Sequence, residues 1–196
     1  FRHDPENSRS VSSNVIRKLL VDADGTLWLG TRGAGVDHFD PQHGVVTKYR
    51  FGEADQPSLE TNEIFAMHRD AAGMLWIGTN NGLIRLDTAT GAYEHFAHDA
   101  DDATGISDHR VRVIFEDSAG QLWIGTYAGG LNRFDYRTET FEHFRHDAGS
   151  EDSLSGDRVT AIYEDSEARL WVGTYDGLNL LNRESDTFSR YQHDNT

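Results

Sequence analysis

The chain has 196 residues, 37% of them hydrophobic, with no cysteine and a formal net charge of −15. That length can bury a sizeable core, while the missing cysteines exclude disulfide scaffolds, thiol nucleophiles and cysteine zinc sites. The acidic balance repels phosphate backbones and anionic headgroups, which sets aside nucleic acid and any direct membrane contact. No run approaches the roughly 18 apolar residues of a membrane helix and no signal-peptide pattern opens the chain; a start at Phe1 rather than Met reads as a fragment or a processed form.

In chain order, Phe1-Arg2-His3-Asp4 is expected to be the tail of an outer strand. After it, one pattern repeats. An apolar strand runs into an Asp-x-x-Gly turn (Asp22 to Gly25), in which glycine supplies the positive φ of a tight hairpin. The strand Leu27-Trp28-Leu29-Gly30-Thr31 follows, then a Gly-rich loop, a third strand closed by Asp40, a turn, and a fourth strand ending near Tyr49. The later copies of the pentapeptide are Leu75–Thr79, Leu122–Thr126 and Leu170–Thr174. Trp28, Trp76, Trp123 and Trp171 are therefore 48, 47 and 48 positions apart. The fourth copy has Ala168 where the others have a turn glycine, which predicts another turn type or strain.

A second marker, an aromatic residue followed by His-Asp, appears at Phe1, Phe96, Phe144 and Tyr191; in the second copy Phe51-Gly52 replace the pair. The one-residue alternation of the spacing traces to one loop. Thr31 to Asp40 and Thr126 to Asp135 take nine steps, whereas Thr79 to Asp87 and Thr174 to Asn182 take eight.

Four-stranded units of this length with one signature tryptophan each indicate an all-β fold of β-propeller blades. Four tandem antiparallel modules of 47–48 residues are expected, over approximately 5–51, 52–98, 99–146 and 147–194, as a partial propeller or open array. Each tryptophan should pack between blades, because a single blade cannot bury both of its faces.

With the Leu-Trp-Ile-Gly-Thr, Gly-Leu-Asn-x-Phe-Asp and Phe-x-His-Asp series in view, the sequence resembles the two-component regulator propeller repeat. The resemblance covers all four modules. It implies a non-enzymatic sensor segment on the periplasmic or extracellular side of a bacterial inner-membrane receptor, feeding a histidine kinase or diguanylate cyclase output. Streptogramin lyases, similar propellers that use histidine and a divalent cation, leave an enzyme as the alternative, and a pure interaction scaffold is another.

The residues themselves point away from catalysis. The His-Asp pairs recur once per module, around a rim, and are expected to make turn or inter-blade hydrogen bonds. Asp22-Ala23-Asp24-Gly25 resembles the start of a calcium loop, but position 12 of that loop is Gly33 rather than a bidentate glutamate. Glu116-Asp117 and Glu164-Asp165 are strand neighbours and point to opposite faces, which is wrong for an acid/base pair. No nucleophile-elbow, phosphate-loop or zinc-protease motif is present, and no metal or cofactor is expected.

What remains is a loop face. The residue after each Gly-Thr is Arg32, Asn80, Tyr127 or Tyr175. Eight positions before each turn aspartate come Asn14, Asn62, His109 and Asp157, followed by Val15, Glu63, Arg110 and Arg158. These places are equivalent in the module yet chemically different. Arg32, Asn80, Tyr127, Tyr175, His109 and Arg110 are therefore the candidate ligand-binding residues, suited to a polar small molecule or an oligosaccharide. Self-association through the first or last blade is also expected, because an end blade exposes an apolar face.

Overall fold

The computed structural model describes residues 1–52 and 62–193; Asp194, the last member of the fourth His-Asp pair, lies outside them. Among the described residues there are sixteen strands and no helix. The chain forms two compact units, Phe1–His95 and Phe96–Thr196.

In the first unit, β1 (Ile16–Val21), β2 (Leu27–Thr31), β3 (Val36–Asp40) and β4 (Val45–Tyr49) form one antiparallel sheet in chain order. A second sheet follows from β5 (Ala66–Arg69), β6 (Leu75–Thr79), β7 (Gly82–Leu86) and β8 (Tyr93–Phe96). The second unit repeats the plan. Its first sheet is β9 (Val111–Glu116), β10 (Leu122–Thr126), β11 (Leu131–Asp135) and β12 (Thr140–Phe144). Its second is β13 (Val159–Glu164), β14 (Leu170–Thr174), β15 (Gly177–Asn182) and β16 (Thr187–Tyr191). The pentapeptides are the second strands, as their alternation predicts. Residues 1–4 carry no strand; His3 Nδ1 bonds the Val11 carbonyl instead, at 2.8 Å.

Packing within each unit explains the pentapeptide. In the first, Trp28 and Val36 are buried against Ile64, Leu75, Ile77, Ile84 and Leu86 of the next sheet. In the second, Trp123 and Leu131 meet Leu154, Val159, Leu170 and Val172. In the first and third modules the pentapeptide glycine permits that approach. A Cβ on Gly30 would stand 2.7 Å from Ile64 Cγ2, and one on Gly125 would stand 2.5 Å from Val159 Cγ1. Trp28, Trp76 and Trp123 are fully buried. Trp171 departs from the expectation and is half-buried.

Each indole is also anchored by its polar edge. Trp28, Trp76, Trp123 and Trp171 donate Nε1–H to Asp22, Asp70, Asp117 and Asp165, at 2.9, 2.7, 2.9 and 2.8 Å. The Asp-x-x-Gly turn thus does two jobs, closing the hairpin and holding the ring. An arginine from the next sheet reaches the same oxygen in both units, Arg69 to Asp22 at 2.6 Å and Arg183 to Asp117 at 2.7 Å. Ala168 keeps the left-handed turn (φ 59°) that Gly25, Gly73 and Gly120 adopt freely, so its turn is the same type and strained.

Candidate functional site

The edge carrying the candidate residues is built by the pentapeptide threonine. Thr31, Thr79, Thr126 and Thr174 donate Oγ1–H to the carbonyls of Gly35, Gly82, Gly130 and Gly177, at 2.8, 2.9, 2.9 and 3.2 Å. The alternating residue lies inside these closures, four steps in the first and third modules and three in the others. The next residue is then tied to the loop entering the first strand of its sheet. Arg32, Tyr127 and Tyr175 donate their backbone N–H to the carbonyls of Val15, Arg110 and Arg158, at 3.1, 2.9 and 3.1 Å.

A β-bulge adds a third contributor. The register slips between Ile16 and Lys18, opposite Thr126 between Val111 and Val113, and between Val159 and Ala161. The extra residues are Arg17, Arg112 and Thr160, and a bulge re-aims the side chain it carries. The two arginines face charged or aromatic partners at the edge.

In the first unit that edge is neutralised internally. Glu63 accepts from Arg17 at 2.7 Å and from Asn80 Nδ2 at 2.7 Å, and Arg32 Nε stands 3.8 Å away. Arg17 also lies over the Phe65 ring at 4.6 Å. Arg32 and Asn80 are thus brought to one carboxylate.

In the second unit the edge is a stack. The Arg110 guanidinium lies 4.0 Å from the Tyr127 ring centre, and Arg112 lies 5.5 Å from it. The Arg158 guanidinium lies over two rings, 4.2 Å from the centre of Tyr127 and 3.6 Å from that of Tyr175. Arg110 is paired with Asp108 at 3.3 Å. Tyr175 is 64% exposed, and an open depression of about 600 Å³ beside it is lined by Thr174, Asp176, Gly177, Gln192 and His193. Three of the predicted residues, Arg110, Tyr127 and Tyr175, are therefore gathered. His109 stands aside, its Nδ1 3.6 Å from Asp108. Arg158, outside the six candidates, is the centre of the stack, and its equivalence to Arg110 one module earlier is the signal that finds it.

Part of the variation between modules is structural. Asn14, Asn62 and Asp157 do one job: each side-chain oxygen accepts the backbone N–H of His3, Phe51 or His146, at 2.8, 3.0 and 2.7 Å. The His-Asp rim is structural too, as expected. His98 and His146 bond the carbonyls of Ile106 and Leu154, both at 2.7 Å. Phe51 replaces this bond by burying its ring. The calcium reading of Asp22 and Asp24 fails on their partners, since Trp28 and Arg69 take Asp22 and Thr26 takes Asp24. The Thr26 hydroxyl and N–H hold Asp24 below the usual carboxylate range. Among the described residues, no three His, Asp or Glu side chains converge on a metal position.

Meandering four-stranded sheets that pack face to face through a signature tryptophan define a β-propeller repeat protein. The two component regulator propeller repeat matches residues 10–33, 58–81, 105–128 and 153–176, and the chain belongs to that family. The extracellular domain assigned to the hybrid two component system BT3049 of B. thetaiotaomicron is 25% identical, with a TM-score of 0.79 over 98% of this chain and 26% of its own. That of BT4673 from the same organism, described as a one component system, is 20% identical with a TM-score of 0.73, over 100% and 26%. The chain thus spans about a quarter of the length of these domains. An inactive variant of virginiamycin B lyase from Staphylococcus aureus, solved with quinupristin, shares the fold at 12% identity and a TM-score of 0.67, over 92% and 56%. No curated protein sequence matches the chain. Among the described residues no helix is long and apolar enough to cross a membrane.

Proposed function

We propose that this segment is a non-enzymatic, extracytoplasmic sensor module of a bacterial receptor, and that it binds a polar ligand on the loop edge of its blades. The carrying observation is the stack of Arg110, Tyr127, Arg158 and Tyr175. Packing makes equivalent positions alike, as it does for the tryptophans, whereas this edge differs in chemistry between modules that share a backbone. The likeness to extracellular domains of two component systems supports the extracytoplasmic placement. Aromatic faces beside forked donors suit a saccharide or a similar polar molecule. The test is a thermal-shift screen of oligosaccharides, followed by Tyr127→Ala and Arg110→Ala on each hit. Loss of binding in both variants supports the reading. Binding that survives both and disappears on replacing His98 or His146 sinks it.

The module is also proposed to self-associate. β1 is an edge strand of its sheet, with Leu19 and Val21 66% and 68% exposed, and Tyr163 of β13 is 63% exposed. Such surfaces tend to find a partner.

A further inference from the structure

We infer that Arg158 is an oxyanion fork and that the ligand of the second unit carries a carboxylate; this deepens the ligand-binding reading above and rests on it. The Arg158 guanidinium carbon lies over both the Tyr127 and the Tyr175 ring, 4.2 and 3.6 Å from their centres. A guanidinium stacked on its faces keeps its five N–H donors in the plane, pointing outward. Among the described residues, no hydrogen bond or ion pair engages the Arg158 guanidinium, and neither phenol hydroxyl of the stack has a hydrogen bond. The cation is positioned by the rings and has no direct ion pair among the described residues.

Two of the nearby carboxylates are committed elsewhere. Asp108 pairs with Arg110 at 3.3 Å, and Asp157 accepts the His146 backbone N–H at 2.7 Å. Asp176 is exposed on the turn after Tyr175. The first unit shows what the edge does when it is completed from within. At the position equivalent to Arg158 it has Glu63, whose carboxylate takes Arg17 and Asn80. At the equivalent Arg110 the chain supplies Asp108, whereas among the described residues Arg158 has no ion pair, so its complementary oxyanion comes from outside the chain. A planar carboxylate matches the guanidinium fork with two parallel hydrogen bonds. The exposed Tyr175 ring beside it suits the apolar face of a sugar ring, so an acidic saccharide is the ligand class.

Trigalacturonate and neutral galactotriose are the probes, titrated calorimetrically into the full chain. Trigalacturonate is expected to bind at least tenfold tighter, with affinity falling as salt rises. Arg158→Gln should remove that preference. Arg158→Lys should restore only part of it, because lysine keeps the charge and loses the fork. Unchanged melting temperatures confirm that the variants fold. Equal affinity for the two probes, no binding of trigalacturonate, or a preference that Arg158→Gln leaves intact overturns the inference. Galactotriose binding that needs Tyr127 but ignores Arg158 overturns the inference while leaving the sensor reading in place.

Discussion

The Trp123 indole donates to Asp117 Oδ2 at 2.9 Å, and the carboxylate that holds it is itself buried. The same oxygen accepts Arg183 from the next sheet at 2.7 Å. One carboxylate therefore closes a hairpin, orients the ring packed between two sheets, and ties those sheets together. Burial pushes the Asp117 carboxyl up, but the Trp123 indole, the Arg183 guanidinium and the Gln121 N–H outweigh it and hold the carboxyl below its usual range.

That direction fixes a pH dependence. A carboxylate with a lowered folded pKa contributes stability that is present above the unfolded value, near 3.9, and is lost as pH falls through the folded one. Asp117→Asn is expected to cost about 2 kcal/mol at pH 7, in the range for hydrogen bonds to charged groups. The gap should narrow below about pH 4. Urea midpoints of both proteins at pH 7, 4 and 2.5 check it, and a gap that ignores pH counts against the assigned role.

Trp123 and Trp171 occupy equivalent places with different cover. Trp123→Ala should cost about 3–5 kcal/mol, the range for removing a large buried aromatic ring. Trp171→Ala, at a half-buried site, should cost roughly half as much. Equilibrium denaturation of the two variants gives the comparison, and equal losses would mean that burial is not what separates them.

Ala168 holds the left-handed turn conformation that glycine holds in the other three modules. Ala168→Gly should therefore raise stability by about 1 kcal/mol, and Gly120→Ala should lower it by a similar amount. A melting temperature unchanged by Ala168→Gly would show that the turn carries no strain.

His146 pins the loop before its strand through the Leu154 carbonyl. His146→Ala is expected to cost about 1 kcal/mol, the typical net contribution of one hydrogen bond. It should leave saccharide binding unchanged, and titration of the variant with any hit from the ligand screen tests this.

The strands were legible because tryptophan, glycine and threonine recur at fixed spacing, and each does the same physical job in every copy. The Trp–Asp bond was hidden in plain view. The partners are six positions apart, and strand alternation alone does not show that the ring edge folds back onto the turn. At the loop edge, variation could not be sorted by sequence. Asn14 and Asn62 differ in type from Asp157 but share one acceptor role with it, whereas Arg110 and Arg158 look alike and behave differently. Arg110 pairs with Asp108, while Arg158 lies over two tyrosine rings without an ion pair among the described residues. Such distinctions depend on which neighbour arrives from the next sheet, and that is a property of the packed unit.

The exposed residues of β1 give the last expectation. Leu20 packs into the core of the first unit while Leu19 and Val21 alternate outward, so the outer face of an edge strand is apolar. Burying it against a second copy would remove that surface from water, at roughly 25 cal/mol for each Å². Light scattering is expected to show a dimer or a higher oligomer. Leu19→Glu with Val21→Glu should shift it to monomer without lowering the melting temperature of the monomer, because neither side chain contributes to the core. A wild-type chain that stays monomeric across a wide concentration range would remove this surface as an interface and leave the ligand edge unaffected.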